Sequence, residues 1–309
     1  MRTLLPKKHL LLAGLFLVVL LIGALPFLYP DKKPGESDET PPIYSSDTDI
    51  LFAVIGDFGN SSQPEEDVAN LVNSWQPDFI VTTGDNNYTH GSELTIDNNI
   101  GHYYADYIGS FDGDSSQNRF FPTSGNHDWA SILCIFEDCR GPYLGYFSLP
   151  GDKLYYDFVW GPVHFFVLDS NPGEPDGTSP DSVQGLWLKN RLTASTSAWN
   201  IVVAHHPPYS SGKRGSTDFM QWPYKDWGAD IVLTGHDHIY ERLVVDDFPY
   251  IVNGLGGKSL YSFGATVDGS QVRYNQDFGA MLFEATPQDL SFDFITRTGE
   301  MIDHFELHQ

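Results

Sequence analysis

A layered α/β fold is the class this sequence predicts, and three observations carry that expectation. Five short apolar runs end alike, in Gly or Ala followed by Asp, Asn or His. Helical stretches fit between several of them, around residues 65–75, 97–108 and 181–192, so strand and helix alternate as in layered α/β domains. The closing stretch, FGAMLFEATPQDLSFDFITRTGEMIDHFEL, alternates apolar and polar residues as antiparallel strands do.

The first thirty residues differ in kind from the rest. Arg2, Lys7 and Lys8 precede HLLLAGLFLVVLLIGALPFLY, an apolar run with no polar face, which is expected to act as a signal anchor or a signal peptide with its cationic side in the cytoplasm. Residues 31–49 are rich in Pro, Ser and acid without periodicity, and read as a disordered acidic linker. One catalytic-size domain is then expected over residues 50–309, since a chain of 309 residues with 41% hydrophobic and 14% aromatic content can build a real core. The formal net charge of −24 becomes more negative still without the three basic leader residues, which argues against nucleic acid or an anionic membrane surface as a partner. An anionic substrate therefore needs local positive charge at its site. Cys134 and Cys139, in CIFEDC, can close a small disulfide loop if the domain is exported.

The five runs are DILFAVIG before Asp57, DFIVTTG before Asp85, RFFPTSG before Asn126, NIVVA before His205 and DIVLTG before His236. Each is short, β-branched or aromatic, and reads as a buried strand. Open α/β sheets gather ligands at such strand ends, because loops converge there from rigid supports. One run ending in Gly-Asp is an ordinary turn, but five deliver two Asp, one Asn and two His, joined by Tyr88 and His238. These oxygen and imidazole donors suit iron, zinc or manganese, and their number suits two ions about 3.5–4 Å apart sharing a carboxylate.

The motifs GDFG (56–59), GDNNY (84–88), GNHD (125–128), VVAH (202–205) and GHDH (235–238) together resemble the metallophosphoesterases, and among them the purple acid phosphatases. Gly59, where a histidine is usual in other metallophosphoesterases, and Tyr88, where Asp or Asn is usual, mark the purple branch. The resemblance implies a four-layer α-β-β-α sandwich of two mixed sheets flanked by helices. It implies that Asp57, Tyr88 and His238 hold iron(III), that Asn126, His205 and His236 hold a divalent ion (Fe, Zn or Mn), and that Asp85 bridges the two. It further implies hydrolysis of a small phosphate monoester by a metal-activated water, with His127 contacting the phosphate and assisting the leaving alcohol and Asp128 orienting His127.

This chain departs from the family pattern nine positions after the VxxH histidine, where Arg214 stands in place of a second substrate histidine. Arginine can clamp phosphate with two parallel bonds but cannot donate a proton at working pH, so the departure bears on the pH range. His206 is a second candidate for touching substrate, although adjacent residues leaving a strand usually point oppositely. The segment YIVNGLGGK is expected to support the site from behind, and His90, His102, His164, His304 and His308 default to structural or surface roles. Two other readings fit the same residues. One is a phosphodiesterase or nucleotidase on the same metal pair, separable by activity on diesters; the other is an inactive, membrane-tethered binding module, separable by metal content and turnover.

Overall fold

Strand after strand in this chain is apolar on consecutive residues, which requires cover on both faces of a sheet. The computed structural model, which describes residues 40–109, 118–129 and 141–309, supplies that cover from a second sheet on one side and helices on the other. The first strands are β1 (Ile43–Ser45), β2 (Ile50–Ile55), β3 (Phe79–Thr82) and β4 (Phe120–Phe121). The chain continues through β5 (Tyr156–Trp160), β6 (Val163–Val167), β7 (Trp199–Val203), β8 (Ile231–Thr234), β9 (Tyr240–Val245) and β10 (Phe248–Asn253). It closes with β11 (Ser270–Tyr274), β12 (Gly279–Ala285), β13 (Asp289–Thr296) and β14 (Met301–His308).

Eight of these form one mixed sheet in the order β1-β5-β6-β7-β8-β10-β9-β11, and six form another in the order β14-β13-β12-β2-β3-β4. In the first sheet β6, β7, β8 and β10 run parallel; in the second β2, β3 and β4 do, and β12 to β14 form an antiparallel flank. Alternation along each strand then sorts the side chains. Phe52, Phe79 and Phe121 of the smaller sheet meet Phe158, Phe165 and Ile201 of the larger one in the central core. Phe52 and Phe79 both pack edge-on against Phe165, with ring centroids 5.1 and 5.4 Å apart. The opposite faces, Ala53 and Ile55 on one sheet and Phe166, Val202 and Val232 on the other, take up α1 (Gln63–Trp75) and α2 (Val183–Ala194) respectively. The result is the four-layer α-β-β-α sandwich. Helix α1 starts where Ser62 and Glu65 cap each other's backbone N–H groups, and the hydroxyl of Ser62 likewise caps by accepting from Glu65 N.

Three local expectations need correction. The linker reading of residues 31–49 fails at its end, because Ile43–Ser45 pairs in parallel with β5 and Tyr44 stacks on Trp160 at 5.7 Å. Aromatic burial there outweighs the polar composition. The helix expected over 97–108 instead runs as Glu93–Ile96, a π-helical turn at Asp97–Gly101 and His102–Tyr104. Asn99 in that turn reaches across to Gly59 O, Asn87 Oδ1 and Tyr88 O, tying the turn to the motif loops. The run RFFPTSG yields only two residues of strand, since Pro122 has no N–H to give the ladder. The leader of residues 1–30 and the pair Cys134 and Cys139 lie outside the described residues. Among the described residues no helix is long and apolar enough to cross a membrane.

Candidate metal centre

The ends of β2, β3, β7 and β8 converge, and there the backbone departs from the extended form. Asp57, Asp85 and His236 all sit at positive φ (54°, 54° and 68°), a conformation that costs an ordinary residue about 1 kcal/mol and persists only where the surroundings hold it. They do hold it. Asp57 Oδ2 accepts from His236 N at 2.9 Å, and Asp85 Oδ1 accepts from His127 N at 2.8 Å. The glycine before each donor makes room for the neighbouring loop: a Cβ on Gly125 would lie 2.2 Å from Asp85 Oδ1, and one on Gly235 would lie 2.5 Å from Asp57 Oδ2.

The seven donors named from the sequence come together in two groups that meet at Asp85. On one side Tyr88 Oη lies 3.1 Å from Asp57 Oδ1, 2.9 Å from Asp85 Oδ2 and 3.2 Å from His238 Nε2, and His238 Nε2 lies 3.3 Å from Asp57 Oδ1. On the other side His205 Nε2 lies 3.4 Å from Asp85 Oδ1, 3.2 Å from Asn126 Oδ1 and 3.2 Å from His236 Nδ1. The two oxygens of Asp85 thus face different groups. The outer ring nitrogens are engaged by protein, His205 Nδ1 with Thr83 O at 2.8 Å and His238 Nδ1 with Ser259 Oγ at 2.6 Å, which turns Nε2 of both inward.

This donor set fits metal ions. Tyr88 has one proton for two buried carboxylates, and the carboxylates have almost no other donors on their inward oxygens. Burial, then the charges of Asp57 and Asp85, push the Tyr88 phenol well above its ordinary value, so a phenolate here requires a cation beside it. Burial alone would lower His205, yet the adjacent Asp85 carboxylate raises it to about 9. In the bare chain a proton thus stands where positive charge is wanted. His236, by contrast, is lowered to about 2 by burial and by its histidine neighbours, and so has a lone pair to offer at Nδ1, 3.2 Å from His205 Nε2.

Around this centre the other named residues take definite places. His127 directs Nδ1 at Thr89 O, 2.6 Å away, so its Nε2, 4.0 Å from Asp85 Oδ2, faces the mouth. Asp128 does not orient it. Its buried carboxylate accepts instead from Gly125 N (2.8 Å), Asn86 N (3.1 Å), Asn86 Nδ2 (2.9 Å) and Asn87 N (3.0 Å), lacing the 84–88 loop to the 125–128 loop. Backbone N–H groups of the two tight loops point inward and need an acceptor, and Asp128 is the side chain that reaches them. Burial and the nearby Asp85 raise its pKa to about 7, against the pull of those N–H donors. His206 does face the site, because the chain bends at His205 and His206, where strand alternation no longer applies; its ring lies 4.5 Å from that of His236 and Ser170 Oγ holds its Nδ1 at 2.8 Å. Arg214 is exposed on the rim, with its backbone N bonded to Asp237 Oδ1 at 2.7 Å and its guanidinium 5.8 Å from the Tyr261 ring.

Sequence reasoning passed over Asp237 and Ser170 but did point to the segment that carries Lys258. Asp237, between the two ligands of GHDH, is buried and fixes the 210–215 loop by accepting from Ser210 Oγ, Arg214 N and Gly215 N. Ser170 follows VHFFVLD, a sixth short apolar run, which ends in Asp without the Gly or Ala that precedes the polar residue in the other five. Lys258 lies in the NGLGGK segment expected to support the site; its N bonds Asp57 O at 3.1 Å and its ammonium stands 4.7 Å over the Tyr88 ring. Asn87-Tyr88-Thr89 has the N-x-T pattern of a glycosylation acceptor, but the Asn87 side chain is buried and bonded to Ser92 O and Thr95 Oγ1, which closes it to modification.

Known proteins resemble this chain in sequence and in fold. A family model described as calcineurin-like phosphoesterase matches residues 50–240. Purple acid phosphatase 17 of Arabidopsis thaliana is 27% identical over 247 residues, which cover 69% of this chain and 70% of the relative. Among solved structures, purple acid phosphatase PPD1 from yellow lupin superposes with a TM-score of 0.65 at 19% identity, covering 86% of this chain and 55% of that one. GAP50, the anchor in the inner membrane complex of Plasmodium, superposes with a TM-score of 0.63 at 20% identity over 85% of this chain and 89% of that one. At these identities the superpositions show the fold alone.

Proposed function

We propose, since the chain belongs to the calcineurin-like phosphoesterase family, that it hydrolyses small phosphate monoesters at a dinuclear centre of iron(III) and a divalent ion, Fe, Zn or Mn. The observation that carries the reading is Asp85, whose two oxygens are divided between a phenol-bearing group of donors and an imidazole-rich one. Asp57, Tyr88 and His238 would hold the iron, Asn126, His205 and His236 the divalent ion, and Asp85 both. When bound, the two ions supply the positive charge that neutralises phosphate and activates water for in-line displacement.

The chain's own residues do the rest. His127, with Nδ1 donating to Thr89 O, can in its imidazolium form give the Nε2 proton to the leaving alcohol oxygen. Arg214 carries a permanent charge at the rim and can clamp two phosphate oxygens. Ser170 holds His206 on the His236 side, where it can meet a third oxygen. Asp128 and Asp237 keep the donor loops at their spacing, so the groups need no rearrangement as charge develops. The domain is proposed to work outside the cytoplasm, anchored or released through residues 1–30.

Metal analysis and turnover on a simple aryl phosphate test the reading. Asp85→Asn should deplete both ions and Asn126→Ala mainly the divalent one; equal loss from both substitutions would contradict the shared role of Asp85.

A further inference from the structure

Cations are scarce in this chain, which has 17 Lys and Arg against 41 Asp and Glu. Most of those described in the domain are spent on neighbours: Lys153, Arg191, Arg242 and Arg297 pair with carboxylates, while Arg119 and Lys225 bond backbone carbonyls. Lys189 and Arg273 also lack a carboxylate partner within ion-pair distance among the described residues, but of the cations so placed three, Lys213, Arg214 and Lys258, gather at one place. Lys258 Nζ stands 4.7 Å over the ring of Tyr88. Lys213 Nζ and Arg214 Cζ stand 5.4 and 5.8 Å over the ring of Tyr261, which itself lies flat on His238 with centroids 4.0 Å apart. Lys213 and Lys258 therefore flank the side of the centre formed by Tyr88 and His238, and Arg214 beside them is also in electrostatic reach of His236.

Their backbones are fixed to the centre as well. Lys258 N bonds Asp57 O, and the 213–215 turn hangs from Asp237, the residue between His236 and His238. Glu65 is the acid in electrostatic reach of Lys258, and burial raises it to about 8, so it offsets that ammonium little near neutral pH. One arginine suffices to clamp the phosphate being cleaved. Two further cations on the same rim are more than a dianionic monoester with a neutral leaving group can use, and aromatic faces hold them there without neutralising them.

We propose that Lys213 and Lys258, beside Arg214, form a second anion subsite that selects substrates carrying another phosphate next to the scissile one. This deepens the phosphatase reading and rests on it. The departing group is then itself a phosphate: as the oxygen of water bonds to the scissile phosphorus and the bridging P–O bond breaks, the two ammonium groups meet the charge left on the released phosphate oxygen, and the proton lost by the water passes to solvent or to that oxygen.

The test compares kcat/KM for inorganic diphosphate, a nucleoside triphosphate and 4-nitrophenyl phosphate at equal metal content. It uses the parent, Lys258→Met, Lys213→Gln, the double variant and Lys258→Arg. The ratio of diphosphate to aryl phosphate efficiency should fall about tenfold in the double variant, chiefly through KM, and Lys258→Arg should restore most of the loss caused by Lys258→Met. The Kd of methylenediphosphonate should rise correspondingly more than that of methylphosphonate. The nucleoside triphosphate should show the same fall. A loss confined to the nucleotide, or ratios unchanged by all variants while the parent cleaves the aryl phosphate, overturns the subsite alone. A fully metallated parent that cleaves none of the three overturns the phosphatase reading itself.

Discussion

Replacing Asp128 separates two accounts of the same residue. The motif suggests a carboxylate serving His127, whereas its carboxylate instead accepts four N–H groups, from Gly125, Asn86 (backbone and side chain) and Asn87, at 2.8–3.1 Å. Asp128 is 1% exposed, so water does not replace it when it is removed. A hydrogen bond of this kind is worth about 1 kcal/mol net, which puts Asp128→Ala at about 4 kcal/mol of lost stability. For a domain of this size that corresponds to a fall of about 10 °C in Tm. Asp128→Asn keeps one acceptor oxygen but turns an amide N–H₂ toward other donors, and should lose about half as much. Because the laced loops carry Asp85, Tyr88 and Asn126, both variants should also bind metal more weakly, while the shape of the pH–rate profile is retained. Thermal melts of the metal-free and loaded proteins, with rate profiles at matched occupancy, make the measurement. The reasoning is refuted if Asp128→Asn melts with the parent and instead displaces the limb of the profile, which is what a partner of His127 would do.

Other consequences follow from the same contacts. Tyr88→Phe removes only the hydroxyl that meets Asp57, Asp85 and His238, so a visible charge-transfer band of the iron-loaded protein should vanish with the fold intact by circular dichroism; an unchanged spectrum would rule Tyr88 out as a ligand. Arg214→His should move the pH–rate profile toward acid and Arg214→Ala should raise KM severalfold, since arginine stays charged throughout the range; superimposable profiles for all three proteins would leave Arg214 a solvated rim residue. Far from the centre, burial would raise Asp157, but hydrogen bonds from His164 (2.9 Å) and Arg191 (2.7 Å) hold it below the usual carboxylate range. A carboxylate depressed in the fold contributes stability that is complete above its unfolded pKa of about 3.9 and disappears as pH falls through the lower folded value. Urea unfolding of the parent should therefore weaken steeply below about pH 4, and Asp157→Asn, less stable at neutral pH, should show a flatter acid decline.

Much of this protein was legible in residue order because the signals are local. Period-two alternation and short apolar runs specify strands whichever partner they find, and the runs ending at Asp57, Asp85, His205 and His236 became β2, β3, β7 and β8. The donor types at those ends already named a metal chemistry, and the motif spacing named a family. Most of what residue order did not reveal depended on segments distant in the chain meeting, with one local exception. The hairpin of β5 and β6 across Gly161-Pro162 went unread although its aromatic runs and turn residues are local. The short strand Ile43–Ser45 was masked by polar neighbours, because its stability comes from Trp160 and β5, more than a hundred residues away. Asp128 adjoins His127 in the chain, yet its carboxylate is claimed by N–H groups of residues 86 and 87, and only packing the two loops face to face decides that competition. The same holds for the rim: Lys213, Arg214 and Lys258 are ordinary basic residues in sequence, and they become neighbours of one site because Tyr88 and Tyr261 present their rings on the same side of it. Side-chain chemistry and periodicity are properties of the chain itself, whereas a hydrogen-bond donor's choice among acceptors, and a cation's choice of surface, are set by distances that exist only after the sheets have packed.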